Sequence, residues 1–115
     1  MSENAVREKS MSFAVKIVRL YQYLSEERKE YVMSKQLLRS GTSIGANVRE
    51  ALQGQSKRDF TAKMSISLKE AVETEYWLEL LCKTKYLTEE QYGSIANDCG
   101  EIARLLTAIV RTARS

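Results

Sequence analysis

The 115-residue chain has no histidine and no proline, two cysteines and five glycines. Each scarcity excludes something. Without histidine the commonest metal ligand and the commonest general base near neutral pH are missing. A di-iron site in a helical bundle needs a Glu-x-x-His motif twice, so it cannot be built here. Cys82 and Cys99 are not a CxxC pair, and two thiols without histidine do not make a zinc site. Their small number fits a reducing compartment. Few glycines and no prolines argue against sandwiches and barrels, which need many tight turns. No apolar run approaches the roughly 18 to 20 residues of a membrane span. The N-terminal stretch MSENAVREKS is polar and is not followed by a secretory apolar region. The expectation is a soluble, cytoplasmic protein. Nucleophile elbow, plausible triad and glycine-rich nucleotide loop are all missing. We therefore expect a non-enzyme without cofactor, metal or catalytic residues.

What is present is helical periodicity. Hydrophobic residues make up 43% and charged residues 29%, which is ordinary for a globular chain. The length suits a single domain over 1–115, burying roughly 65% of the surface its unfolded chain exposes. The spacing predicts four helices, at about 10–24, 30–53, 57–84 and 89–113. The first carries Phe13, Ile17, Leu20 and Leu24 at steps of three and four. The second carries Leu37, Ile44, Val48 and Ala51 and stops at Gly54. Ser56 and Asp59 open the third, whose stripe is Phe60, Met64, Leu68, Ala71, Leu78 and Cys82. The fourth opens on Thr88-Glu89-Glu90-Gln91, a capping box, and runs through Ile95, Cys99, Ile102, Leu106 and Ile109. Short connections make successive helices antiparallel neighbours, so the fold class is an all-α, up-down-up-down four-helix bundle. Counted from the turn near Tyr86, the two cysteines stand roughly 13 Å apart along the axis. That exceeds the roughly 7 Å limit for a disulfide, so both should be free. Tyr76, Trp77, Leu80 and Leu81 lie off the main stripe of the third helix. A wide core face and a self-association surface account for them equally well.

Charge is unevenly placed. The first 69 residues hold 13 bases and 7 acids, residues 70–101 hold 2 and 8, and residues 102–115 hold three arginines and no acid. Folded onto an antiparallel bundle, this gives a basic pole with Arg49, Lys57, Arg58, Lys63, Arg104, Arg111 and Arg114. The opposite pole collects Glu26, Glu27, Glu30, Glu73, Glu75, Glu79, Glu89 and Glu90. Such a basic pole attracts phosphate by counterion release. It can equally be solvated surface whose long stems cover the core edge. No aromatic side chains interleave it as in a base-stacking platform.

Three smaller constellations stand out. Gly41 and Gly45 lie inside the second helix, where each costs roughly 1 kcal/mol against alanine. They read as a close helix approach or a kink, because the phosphate-loop spacing and its lysine are absent. Ser43, Asn47 and Glu50 form a second stripe beside Ile44 and Val48. By level, Glu50 faces Lys57, Arg58 and Lys63, either as an ion pair or as part of a subunit seam. Glu75 occupies a position where the third stripe calls for an apolar residue. A buried carboxylate there needs a partner, with Ser34, Lys35 and Asn97 at its level.

The segment Ser43-Ile44-Gly45-Ala46-Asn47-Val48-Arg49-Glu50 resembles the Ser-Ile-x-x-Asn-x-x-Glu motif of the bacterial proteins encoded in intervening sequences of 23S ribosomal RNA genes. Ser56 to Phe60, Ser67 to Ala71, Glu73 to Leu81 and Leu87 to Tyr92 are similar to that family in the same order, over about residues 12–113. Ala51 departs from it, since many members carry glycine after the glutamate. The resemblance implies an antiparallel four-helix bundle assembled as a ring-shaped homopentamer. It is related to the accessory proteins of diversity-generating retroelements, basic barrels that work with a reverse transcriptase and its RNA. The leading expectation is a non-enzymatic homo-oligomer that binds RNA or a ribonucleoprotein through Lys57, Arg58, Lys63, Arg104 and Arg111. Ser43, Asn47, Glu50 and Glu75 are read as structural or interface residues. The rival expectation is a protein-interaction scaffold without nucleic-acid affinity, and a third is a small enzyme using Glu75.

Overall fold

Four helices run in chain order: α1 (Ser2–Glu26), α2 (Met33–Leu52), α3 (Lys57–Lys83) and α4 (Glu89–Arg114). The structure is a computed structural model that describes residues 2–115, and no strand occurs among them. α1 packs on α2, α2 on α3, α3 on α4, and α4 closes back on α1, the arrangement of a four-helix bundle. Cross-helix bonds give the directions. The Ser67 hydroxyl donates to the Ile44 carbonyl at 2.8 Å, and the Thr74 and Ser40 hydroxyls are hydrogen-bonded to each other at 2.9 Å. Numbers rise on α3 as they fall on α2, so the two are antiparallel. The same inversion links α1 to α4 through Lys9–Glu101 and Lys16–Asp98. The molecule measures 44 × 20 × 18 Å, about the length of its longest helix.

The core is one column of apolar side chains. Val6, Phe13, Ile17 and Leu24 come from α1, and Leu37, Ile44 and Val48 from α2. Met64, Ala71, Leu78 and Leu81 come from α3, and Cys99, Ile102 and Leu106 from α4. Leu81, placed off the stripe by spacing, is fully buried and belongs to this column. α1 begins two turns earlier than periodicity suggested, and the added segment anchors itself by burying Val6. α2 begins at Met33 and not near Glu30. Glu30 instead folds back as its cap. Its carboxylate accepts from the backbone N–H groups of Val32 (3.0 Å), Met33 (2.9 Å) and Ser34 (2.7 Å). Burial opposes the charge, but these three donors outweigh it and hold the carboxyl below its ordinary value.

α4 opens on the expected capping box, with Thr88 and Gln91 exchanging both bonds. α3 has half of one: Ser56 Oγ accepts from Asp59 N at 3.0 Å. Gly41 is needed for a close approach, because a Cβ there would lie 2.8 Å from Ile17 Cγ1. At Gly45 the nearest atom, the Ser10 carbonyl oxygen, is 3.4 Å away. The turns α1–α2 and α3–α4 meet at one end. There Arg28 donates to the carbonyls of Lys85 and Tyr86 and lies over the Tyr86 ring at 5.3 Å.

Candidate nucleic-acid interface

The opposite end of the bundle gathers the start of α1, the end of α2, the start of α3 and the end of α4. Ser56 caps α3 and so sets Lys57 and Arg58 in its first turn. Arg111 and Arg114 occupy the last turn of α4. Lys57, Arg58 and Arg114 share one groove between α3 and α4, of about 680 Å³, floored by Thr61, Ala62 and Ser65. Arg111 and Arg114 line the next one, of about 380 Å³, over Leu68 and Thr107. Arg114 donates to Ser65 Oγ at 3.3 Å, which fixes its guanidinium across the groove. Lys57 Nζ reaches the Ser115 carbonyl at 3.5 Å. Among the described residues, ion pairs form at Lys9, Lys16, Arg39, Lys63 and Lys83, and none of the four pole cations is in one.

Two of the five residues expected to contact phosphate are placed differently. Lys63 is held by Glu50 at 2.9 Å, and that bond raises its pKa above the ordinary lysine value. Arg104 lies back along α4 beside Gly100, about 15 Å from Arg114 by helical rise. The structure therefore sets Lys57 and Arg58 with Arg114 in one groove, and Arg111 beside Arg114 in the next. Arg49 faces a different groove, between α1 and α2, where Arg7 lies opposite it. The acidic pole is also more mixed than the acids alone implied. Glu30 is folded into its cap, Glu73 pairs with Arg39, and Arg28, Lys29, Lys83 and Lys85 stand at the same end.

The motif on α2 serves its own helix. Ser43 Oγ donates to the Arg39 carbonyl at 2.6 Å, and Asn47 Nδ2 to the Ser43 carbonyl at 2.9 Å. Glu50 makes the ion pair with Lys63 that ties α2 to α3. Glu75 is corrected outright. It is exposed, and its carboxylate points toward Gly100 on α4 and not toward Ser34 or Lys35. The buried polar residue is its neighbour Thr74, fully satisfied by Ser40 and the Glu70 carbonyl. The stripe steps from Ala71 by three to Thr74 and by four to Leu78, so a step of four from Ala71 lands on the wrong residue. Both cysteines are buried and unpaired with each other. Burial pushes the Cys99 thiol up to about 12. Among the described residues no cluster of three His, Cys, Asp or Glu side chains is set to hold a metal ion, and no helix is long and apolar enough to cross a membrane.

Periodicity gave no warning of three residues at the basic end. Phe60 reads as a core position but is only partly buried, in a cavity facing that end. Glu3 and Thr112 border the same cavity. Only the helical level of the first turn of α1 and the last turns of α4 could have marked them.

Residues 2–108 match the family model described as 23S rRNA-intervening sequence protein. The chain belongs to this family. A crystal structure of a protein of unknown function from the S23 ribosomal protein family of Bacteroides thetaiotaomicron is 62% identical to it. The match covers 96% of this chain and 99% of that one, with a TM-score of 0.95. No curated protein matches. The matched stretch spans α1, α2 and α3 and most of α4, and ends before Arg111 and Arg114.

Proposed function

We propose that this family member is a non-enzymatic, homo-oligomeric bundle that binds structured RNA, alone or within a ribonucleoprotein, through its basic pole. The carrying observation is the convergence of Lys57, Arg58, Arg111 and Arg114, none of them in an ion pair among the described residues. Four cations in shallow grooves with hydroxyl floors suit phosphate oxygens better than a compact small anion. Lys63 and Arg104 extend the positive surface outward, Lys63 with its charge shared by Glu50.

Self-association is supported by the exposed apolar side chains. Five of the eight large ones lie on two stripes: Met11, Val15 and Val18 on α1, and Val72 and Tyr76 on α3. These helices sit diagonally across the bundle, each flanked by α2 and α4. Two unlike faces on opposite sides favour head-to-tail contact between copies, which closes as a ring. A pentamer is the closure the family resemblance implies. With bundle axes parallel, every copy brings its basic pole to one side, and several weak phosphate sites act together.

Native mass spectrometry of protein purified at low salt, without nuclease, tests both parts. The expected result is one oligomer carrying heterogeneous nucleic acid. Reversal of Arg58 and Arg111 to glutamate should then release that nucleic acid and flatten the salt dependence of binding by about 1.5 in log–log slope. A protein-only oligomer under these conditions would redirect the search to a protein partner.

A further inference from the structure

At the basic end the bundle is not filled to its tip. A cavity of about 450 Å³ opens there between α1, α3 and α4. Its walls are apolar and include one aromatic ring: Phe60 with Ala108, Ile109 and Ala113. Three polar residues complete its lining: Lys57, Glu3 and Thr112. Lys57 and Ala113 also line the α3–α4 groove that holds Arg58 and Arg114. Cavity and groove are therefore one continuous surface, apolar at one end and cationic at the other.

We infer that this cavity receives a single unpaired nucleobase of an RNA whose backbone lies in the Lys57–Arg58–Arg114 groove. The inference rests on the RNA reading above and assigns a second function to the same end of the molecule. The chemistry selects the occupant. A ligand here needs a flat apolar body for Phe60 and an anion within reach of Lys57. It also needs polar edges for Glu3 and Thr112. A nucleotide has all three. An acyl chain would leave the carboxylate and the hydroxyl unused, and a small anion would leave the apolar wall wet. A base lifted from its helix is recognised by stacking on an aromatic ring and by hydrogen bonds to its exposed edge. A carboxylate accepts hydrogen bonds and donates none, so Glu3 favours guanine, with N1–H and N2–H side by side, over uracil, whose one N3–H is flanked by two carbonyl oxygens. The absence of a multi-aromatic platform then becomes informative: the pole holds the backbone at several points and has room for one base per subunit.

The test compares two RNA hairpins that differ by one unpaired guanosine bulge, binding the whole 115-residue chain at fixed low salt and read by fluorescence anisotropy. The bulged hairpin should bind about tenfold tighter. Phe60→Ala should remove that preference and leave the affinity for the paired hairpin in place. Phe60 also packs on the core, so a second variant guards against misfolding. Ala108→Leu, at an exposed position on the cavity wall, fills the slot without removing any core atom. It should abolish the preference in the same way, and replacing the bulged guanosine with uridine should weaken it. Equal affinity of the wild type for both hairpins overturns the base cavity but leaves the pole reading standing. Failure to bind either hairpin overturns both. A bulge preference that survives Phe60→Ala and Ala108→Leu places the base elsewhere and also overturns the inference.

Discussion

At the residue scale, the molecule is governed by a few polar groups that found partners and a few apolar ones that did not. Glu30 is the clearest case. Its carboxylate satisfies three of the N–H groups that a helix start leaves unpaired, in place of the missing side-chain cap at Val32. Its folded pKa lies below the unfolded one. The stabilisation is therefore full above the ordinary carboxylate range and is lost as pH falls through the folded value. Glu30→Ala should cost about 1 to 2 kcal/mol near neutral pH in urea denaturation. The gap to wild type should narrow below about pH 4. The two helical glycines make a matched pair. Gly41→Ala drives a methyl into Ile17 and should destabilise by about 1 to 3 kcal/mol. Gly45→Ala meets only ordinary contact, and its gain of roughly 1 kcal/mol in helix propensity should leave it neutral or stabilising in the same measurement. Cys99 offers a third check. With its pKa raised from 9.0 to about 12, it exposes about a thousandfold less thiolate than a free thiol. Alkylation followed by mass spectrometry should label it only after unfolding. The clash that makes Gly41 necessary was legible as a type of event, a close approach, but not as Ile17, because spacing gives faces and not partners.

At the element scale, legibility followed the strength of the local signal. α4 carries a complete capping box and a clean apolar seam, and both its limits and its buried face could be read directly. α1 could not, since Met1, Ala5 and Val6 are the only apolar residues before Ser10. Its first two turns are helical because Val6 finds a buried place, a tertiary cause that local periodicity does not register. Deleting residues 1–9 should therefore cost about 2 kcal/mol or more, seen as a lower urea midpoint, although the removed stretch looks like a polar tail. The start of α2 was misplaced for the opposite reason. Glu30 belongs to the helix electrostatically while its backbone lies outside. On α3 the slip between Thr74 and Glu75 follows from length. Over 27 residues the choice between steps of three and four recurs often enough for one error to put a carboxylate in the core on paper.

At the scale of the whole molecule, the charge distribution was legible as a polarity, and the structure sharpened it by subtraction. Glu50 takes Lys63 out of the unpaired set, Arg104 lies too far along α4, and Arg114 joins the remaining three. Helical level set Glu50 opposite Lys57, Arg58 and Lys63, but only side-chain positions select Lys63 as its partner. The diagonal apolar stripes bear on assembly. Val15 and Val72 are exposed in the single copy, so Val15→Asp and Val72→Asp should leave folding intact while each lowers the oligomer mass seen by light scattering. An unchanged mass in both variants would remove these stripes from the interface. The same geometry governs how the chain continues. α1 starts and α4 ends at one pole, and Glu3 and Ala113 border a single cavity there. Any sequence fused before α1 or after α4 must emerge over the basic face. A purification tag at either terminus would shade the surface that binding assays are meant to probe. A tag carried in the α2–α3 turn would shade it too, whereas one spliced into the α1–α2 or α3–α4 turn would leave it open.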